Sequence, residues 1–255
     1  MGGYSQDKMS TRVDMPGGDP TGPAIACLHH LERPFLGAAA APLAAARLDH
    51  RDLLQGDALP DLDDVDGLVS FGGAQSVTEI DRYPYLLAEA ELLREAVARD
   101  VPVLGICLGA QLLAHALGGS VRRLPRRAVV WAELAHTAED PLIDALPDPV
   151  RALHWNEDAI EPPPGATELL ERGGLGCAAF RKGSGWGIQF HADVDAAVLD
   201  GWYENYGDWL AAAEVDAAAA RVADAEHLPG QVATAEAIFG GFVTRARAAR
   251  ARALR

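Results

Sequence analysis

Basic residues, cysteines and long apolar runs are all scarce in this sequence. Its 255 residues include 22 Lys and Arg against 37 Asp and Glu, a formal net charge of -15 at pH 7. Such a chain repels phosphate backbones, so nucleic-acid binding is not expected. Three cysteines are too few for a disulfide framework and indicate a reducing, cytoplasmic setting. No apolar run reaches the roughly 18 residues of a membrane span.

The remaining composition is typical of one folded domain. The sequence is 49% hydrophobic and 23% charged, as in ordinary globular proteins, and a chain of this length can bury a sizeable core. Residues 1–22 are polar, rich in Gly and Pro, and without the apolar core of a signal peptide, so we expect a disordered tail there. No linker divides the rest, and residues 23–255 are expected to form a single domain.

Short apolar runs alternate with helical patterns through the first half of the chain. Ala24–Leu28, Gly67–Phe71 and Val101–Ile106 are candidate buried strands, while residues 85–99 and 108–117 have apolar positions at helical spacing. This alternation predicts an α/β fold with an open, mostly parallel sheet and flanking helices.

The rest of the chain shows weaker patterns. A helix is plausible over residues 36–48, whereas residues 129–190 indicate shorter strands and turns, with a hairpin over residues 180–190. From Val194 onward the sequence is helical, including the Ala-rich stretch 210–225.

Cys107 stands where a strand passes into a helix, with Gly105 and Gly109 on either side. This is the pattern of a nucleophile elbow, a tight turn that leaves no room for neighbouring side chains. Its sulfur is expected at a helix N-terminus, which favours a thiolate, and the N–H of Leu108 can serve half of an oxyanion hole. The alternative is that Cys107 is a small buried apolar residue.

A general base and an acid follow at the end of a later apolar run. This run delivers His191, and Asp193 lies two residues further on. Beside an elbow cysteine, His191 is a candidate general base, and Asp193 can fix its tautomer.

Four segments together resemble the class I (triad-type) glutamine amidotransferase family, in particular the amidotransferase domain of GMP synthase. The resemblance extends from about Ala24 to Val243, and the motifs that carry it are Phe71-Gly-Gly-Ala-Gln-Ser76, Gly105-Ile-Cys-Leu-Gly-Ala-Gln111, His154-Trp-Asn-Glu-Asp158 and Gly187-Ile-Gln-Phe-His191. It implies a flavodoxin-like fold and hydrolysis of a γ-glutamyl amide through a Cys107 thioester. No cofactor or metal is implied.

The resemblance also assigns roles around the nucleophile. It implies that His191 shuttles the proton and that Asp193 orients His191. The N–H groups of Gly73 and Leu108 would hold the oxyanion, and Gln111 would hold the amino-acid part of the substrate.

The sequence departs from the family pattern at its acid. Asp193 replaces the usual Glu and is one methylene shorter, and Ala192 replaces the usual Pro. Asp195 is therefore kept as a substitute or second acid.

The segment bordering the glutamine pocket also departs from the pattern. Asn156 replaces the second His of a frequent His-Trp-His, and Glu157 follows it. Both are candidate substrate-binding residues. A carboxylate at this place could contact a cationic substrate group, or it could be a solvated loop residue.

Three functions remain compatible with these residues. The first is a glutamine amidotransferase subunit that passes ammonia to a synthase acting in trans, because no ammonia-using module is recognisable in the sequence. The second is a stand-alone γ-glutamyl hydrolase or peptidase with a larger leaving amine. The third is a non-catalytic binding module.

Two further features are given structural interpretations. His29 and His30 lack partners at metal-ligand spacing, so no metal site is predicted and a surface position is expected for them. The five tryptophans are interpreted as core or pocket-wall residues: Trp131, Trp155, Trp186, Trp202 and Trp209.

Overall fold

Five parallel strands form one half of a nine-stranded sheet in the part of the chain that the structure describes. The structure is a computed structural model and describes residues 14–173 and 176–253. The parallel strands are β1 (Ala24–His30), β2 (Arg47–Asp52), β3 (Gly67–Gly73), β4 (Val103–Ile106) and β9 (Gly185–Ile188), in the order β2-β1-β3-β4-β9. We refer to them as the parallel half.

Helices cover both faces of the parallel half. Along β1, Ala26 and Leu28 pack into the core under α2 (Pro84–Ala98) and α3 (Leu108–Ala116). Ile25 and Cys27 point into a second core that includes Phe239 and Phe242 from the C-terminal end of the chain. Since successive strand residues face opposite sides, burial of both faces explains why β1 is an uninterrupted apolar run.

The other half of the sheet is antiparallel. It contains β5 (Ser120–His136), β6 (Val150–Glu161), β7 (Thr167–Glu171) and β8 (Cys177–Lys182), and β8 pairs antiparallel with β9 of the parallel half. Because β7 pairs with both β5 and β8, this antiparallel half closes on itself.

The predicted α/β class is confirmed, but the open, mostly parallel sheet is confirmed only for the parallel half. The long strands β5 and β6 pair directly, without the crossover helix that a parallel connection requires. The hairpin expected over residues 180–190 is present as β8 and β9.

Helices α4 (Ala196–Asn205), α5 (Gly207–Ala212), α6 (Ala217–Ala235) and α7 (Gly241–Ala253) form the C-terminal part of the described chain. The expected continuous helix over residues 210–225 is interrupted between α5 and α6, where Glu214 adopts φ 55°. Near the N-terminus, the helix expected over residues 36–48 ends early. It is the short α1 (Ala40–Leu43), and β2 follows it.

The predicted tail lies partly within the described residues. Residues 1–13 are outside them. Gly18 bridges to Arg47, the N–H of Leu48 donates to the carbonyl of Gly17 at 2.8 Å, and Gly22 is buried. Residues 17–22 are therefore hydrogen-bonded to the rest of the fold, although only Gly22 among them is buried. Across residues 14–173 and 176–253, no helix is long and apolar enough to cross a membrane.

Candidate active site

Cys107 occupies a strained turn between β4 and α3. Its backbone has φ 50° and ψ -104°, a region that residues other than glycine rarely adopt. Its N–H donates to the carbonyl of Ile188 at 2.8 Å. A Cβ at Gly105 would lie 2.5 Å from the backbone of Gly109, and a Cβ at Gly109 would lie 2.1 Å from the carbonyl oxygen of Ser70. The two glycines therefore allow the elbow to form between tightly packed neighbours.

His191 and Asp193 lie in the segment that follows β9, and both are buried. Nδ1 of His191 is 3.1 Å from Oδ1 of Asp193. The backbone of His191 is fixed on both sides, because its N–H donates to the carbonyl of Leu153 at 2.9 Å and its carbonyl accepts from the side-chain amide of Gln231 at 2.7 Å. The imidazole is thus held in one orientation.

The charge state of His191 depends on its two acidic neighbours. Burial alone lowers the pKa of this imidazole, but the Cys107 thiolate and the Asp193 carboxylate outweigh that effect and raise the pKa to about 10. Such a histidine carries a proton at neutral pH and can donate it to a leaving group.

The candidate oxyanion-hole residues lie where β3 ends and where α3 begins, beside Cys107. Gly73 is the last residue of β3, and Leu108 is the first residue of α3, where a backbone N–H has no partner within the helix. Gly72 permits the close approach of the catalytic groups, since a Cβ there would lie 3.0 Å from Cε1 of His191 and 3.5 Å from Cβ of Cys107.

One cavity brings these groups together. It encloses about 730 Å³ when the open solvent at its mouth is included. The predicted site residues in its lining are Gly73, Cys107, Leu108, Gln111, Asn156, Glu157 and His191. Asp193 lies behind His191 and is not part of the lining.

Two amide side chains connect Gln111 to the nucleophile. Nε2 of Gln111 lies 3.3 Å from Oε1 of Gln189, and Nε2 of Gln189 lies 3.7 Å from Sγ of Cys107. Gln189 is the Gln of the motif that ends in His191, but the sequence alone gave it no role.

Asn156 and Glu157 have different surroundings at the cavity wall. The amide nitrogen of Asn156 donates to the carbonyl of Asp158 at 2.7 Å, while its buried Oδ1 has no hydrogen-bond partner among the described residues. Glu157 forms ion pairs with Arg123 and with Arg127, the latter at 2.8 Å. Glu157 is therefore already neutralised and is poorly placed to recognise a cationic substrate.

Asp195, the substitute acid, has a structural position. It is the N-cap of α4, and its side chain accepts a hydrogen bond from the N–H of Val198 at 2.9 Å. The interpretation of Asp195 as a partner of His191 is wrong in this structure, because Asp193 takes that place.

The other cysteines and the paired histidines lie inside the fold. Burial raises the pKa of the Cys27 and Cys177 thiols well above the usual value. His29 and His30 are buried in β1, so their expected surface position is wrong. Within the described residues, no group of three or more His, Cys, Asp or Glu is arranged to hold a metal ion.

Sequence reasoning missed Gln231, which lies on α6 and holds the backbone of His191. Gln231 is one of several polar residues in an Ala-rich helix, and nothing in the sequence distinguishes it from the others. The tryptophans were interpreted only as core or pocket-wall residues. Trp155, Trp202 and Trp209 line the cavity, while the indole N–H groups of Trp131 and Trp186 donate to Asp224 and Asp140 away from it.

The sequence is similar to those of known glutamine amidotransferases. The model of the family described as glutamine amidotransferase class-I matches residues 44–200. The chain is 33% identical over 167 residues to the glutamine amidotransferase-like protein YfeJ of Salmonella typhimurium, covering 62% of this chain and 70% of that protein. It is 35% identical over 129 residues to the glutamine-hydrolyzing GMP synthase of Thermomicrobium roseum, covering 50% of this chain but only 23% of that longer protein.

A solved structure shows the same relationship over most of the chain. A glutamine amidotransferase from Thermotoga maritima superposes with a TM-score of 0.79 at 26% identity, covering 86% of this chain and 97% of that one. The family model matches more than half of the chain. The chain belongs to the class I glutamine amidotransferase family.

Proposed function

We propose that this protein hydrolyses the γ-glutamyl amide bond of glutamine through a thioester on Cys107, releasing ammonia and glutamate. The observation that carries the proposal is the cavity in which a strained elbow cysteine is coupled to the buried His191–Asp193 pair. Family membership supports amide hydrolysis and ammonia transfer as the reaction class.

Acylation follows from the arrangement of the side chains. Sγ of Cys107 attacks the γ-carboxamide carbon, and the backbone N–H groups of Gly73 and Leu108 stabilise the oxyanion. When the C–N bond breaks, His191 gives its proton to the leaving nitrogen, and ammonia departs. Asp193 keeps the imidazole oriented during this transfer.

Deacylation uses the same groups in the opposite direction. His191 takes a proton from water, the resulting hydroxide attacks the thioester carbon, and glutamate leaves as Cys107 is regenerated. Gln111 and Asn156 are proposed to hold the α-amino and α-carboxyl groups of the substrate. The unpaired Oδ1 of Asn156 supports this role, because a buried acceptor needs a partner that a substrate N–H can provide.

The shorter acid is compatible with this mechanism. Asp193 reaches His191 at 3.1 Å although its side chain lacks one methylene of the usual Glu. The close backbone path supports this reach, because the N–H of Ala38 donates to the carbonyl of Asp193 at 2.9 Å and a Cβ at Gly37 would lie 2.2 Å from the same oxygen.

The fate of the ammonia distinguishes two candidate functions. A partner synthase in trans is proposed because one relative is a glutamine-hydrolyzing GMP synthase, of which this chain matches only part. The second candidate is a stand-alone γ-glutamyl hydrolase. The aromatic side chains Trp155, Trp202 and Trp209 in the cavity lining favour it, since ammonia offers them nothing to contact.

We also propose a flavodoxin-like core and a single domain. The order of the five parallel strands supports a flavodoxin-like core, in which the site lies at the carboxyl ends of the strands. We also assign residues 23–255 to one amidotransferase-like domain. The three free cysteines support a reducing compartment such as the cytoplasm.

Glutamine hydrolysis and covalent labelling test the proposal together. The purified chain is incubated with glutamine and, separately, with the diazo-ketone analogue 6-diazo-5-oxo-norleucine. We expect glutamate release and one adduct on Cys107, with none on Cys27 or Cys177. A Cys177→Ala variant serves as the matched control and should label as the parent does. Absence of both turnover and labelling would favour the non-catalytic binding module and overturn the proposal.

A further inference from the structure

Five aromatic side chains line one side of the active-site cavity, and we call them the aromatic wall: Phe35, Trp155, Trp202, Tyr206 and Trp209. Four of the rings form a connected series, in which Phe35 meets Trp202 edge-to-face with centroids 5.7 Å apart. The centroids of Trp155 and Trp202 are 5.0 Å apart with an edge-to-face angle of 66°, and those of Trp155 and Trp209 are 5.7 Å apart and nearly parallel. Four of the five rings, all but Trp202, are only partly buried and can be covered by a bound molecule.

Most of the aromatic wall comes from outside the segment that the family model matches. That match ends at residue 200. Trp202 lies on α4, Tyr206 joins α4 to α5, and Trp209 lies on α5. All three rings line the cavity, although the helix breaks at Tyr206, which has φ -112° and ψ 31°. Trp155 alone of the five lies within the matched residues 44–200.

Trp202 of the aromatic wall lies beside His191, the proposed proton donor to the leaving nitrogen. The imidazole of His191 meets the Trp202 ring edge-to-face, with centroids 4.8 Å apart. In the proposed mechanism His191 protonates the departing nitrogen, so whatever is attached to that nitrogen must extend along the cavity beside His191. Ammonia has no such substituent and would leave the wall without contacts.

The charges around the aromatic wall are already compensated. Arg123 and Arg127 pair with Glu157, and Arg123 also lies 3.1 Å from Oδ1 of Asp158. The guanidinium of Arg127 stacks on the Trp209 ring at 5.0 Å. An anionic substituent would have to displace a carboxylate from its arginines, and a cationic one would have to compete with Arg123 and Arg127 for Glu157.

We infer that the amine half of the substrate carries an uncharged aromatic ring, so that this protein cleaves γ-glutamyl amides of ring-bearing amines in preference to glutamine. The inference rests on the proposed thioester mechanism and adds the substrate class to it. A flat ring would lie against the aromatic wall, replacing water on apolar surface and making ring-to-ring contacts.

A panel of γ-glutamyl amides separates ring recognition from leaving-group chemistry. The panel contains γ-glutamyl benzylamide, γ-glutamyl methylamide, an analogue with a cationic 2-aminoethyl group, an analogue with an anionic 3-carboxypropyl group, and glutamine. Benzylamine and methylamine are both alkylamines of similar leaving ability, so their difference reports mainly on the ring. We expect kcat/KM for the benzylamide to exceed that of each other substrate by about tenfold or more.

Substitutions in the aromatic wall connect this preference to the structure. Trp209→Ala should lower kcat/KM for the benzylamide about tenfold more than for glutamine, and Trp209→Phe should restore most of the preference. Val222→Ala, at a residue 70% exposed on α6, is the control and should leave the ratio of the two substrates unchanged.

The outcomes distinguish the inference from the function on which it rests. Turnover of glutamine with a benzylamide kcat/KM no greater than that of the methylamide overturns the aromatic class and leaves the thioester mechanism standing. A preference for the cationic or the anionic analogue also overturns it. If no amide in the panel is cleaved and Cys107 is not labelled by the diazo-ketone analogue, the proposed function itself fails.

Discussion

The two halves of the sheet are built differently and supply different parts of the site. The parallel half carries Cys107 and Gly73 at strand ends, and His191 follows its last strand, β9. The antiparallel half supplies Trp155 and Glu157 from β6, and the C-terminal helices add Trp202 and Trp209. In our account the parallel half performs the acyl transfer, while the antiparallel half and α4–α5 select the amine.

Burial explains why the two halves can have separate tasks. β1 and β4 are completely buried, and their ends are fixed by packing on both faces, which suits catalytic groups that need a fixed geometry. Along β5 and β6 buried and exposed residues are interspersed, so one face remains available to line a cavity. Substitutions in the parallel half should therefore change the rate for every amide. Substitutions in the antiparallel half should change the preference among amides.

The largest expected effect is that of Cys107→Ala. Removing the nucleophile should lower kcat about 10⁴-fold or more for every substrate, while circular dichroism and the unfolding midpoint remain close to the parent values. The effect is measured as kcat for glutamine and for one larger γ-glutamyl amide. A loss of kcat for only one of the two substrates would contradict the proposed division of tasks between the halves.

The acid behind His191 should have a smaller effect. The loss of kcat in Asp193→Ala should be roughly a hundred times smaller than the loss in His191→Ala, because the carboxylate only orients the imidazole. Asp195→Ala is the matched control: losing the N-cap of α4 should lower the free energy of unfolding by about 1 kcal/mol without changing kcat. Equal losses for Asp193→Ala and His191→Ala would show that Asp193 does more than orient, and a greater loss for Asp195→Ala than for Asp193→Ala would reverse the assignment of the acid.

The pH dependence of kcat/KM probes the same pair. With the pKa of His191 raised to about 10, the proton for the leaving amine is present at neutral pH and is lost as the pH rises through that value. In Asp193→Asn one interaction that raises the pKa is removed, so the alkaline limb should move to lower pH. An alkaline limb that stays in place in this variant would exclude His191 as the titrating donor.

The smallest expected effect lies in the antiparallel half. Glu157→Gln removes a carboxylate but leaves Arg123 and Arg127, so kcat/KM for an amide with an anionic amine should rise, by at most about fivefold for a partly exposed ion pair. Glu214→Gln is the control, because Glu214, in the turn between α5 and α6, pairs with Arg126 of β5 at 3.3 Å and does not line the cavity. A general loss on all substrates would assign Glu157 to catalysis instead.

The parallel half was largely predictable from the sequence. Strands buried on both faces are continuous apolar runs, and β1, β3 and β4 were all expected close to their observed positions. The exception is β2, whose sequence Arg-Leu-Asp-His-Arg-Asp contains no apolar run. It lies at the edge of the described sheet next to β1, and four of its six residues are not fully buried.

The site residues also differ in how well the sequence predicts them. The positions of Cys107, His191 and Asp193 could be inferred because each lies in a short motif with its own turn or strand end. The aromatic wall could not be inferred, because Trp155 and Trp209 meet only through the path of the chain between them. Gln231 was missed for the same reason, since its contact joins residues 40 positions apart.

The central claim is that one acyl-enzyme forms on the parallel half whatever amine has departed. Hydroxylamine tests it, because it competes with water for the Cys107 thioester and gives a γ-glutamyl hydroxamate in place of glutamate. The account predicts that, at fixed hydroxylamine concentration, the ratio of hydroxamate to glutamate is the same from glutamine as from γ-glutamyl benzylamide. A ratio that depends on the departed amine, or turnover without any hydroxamate, would contradict it.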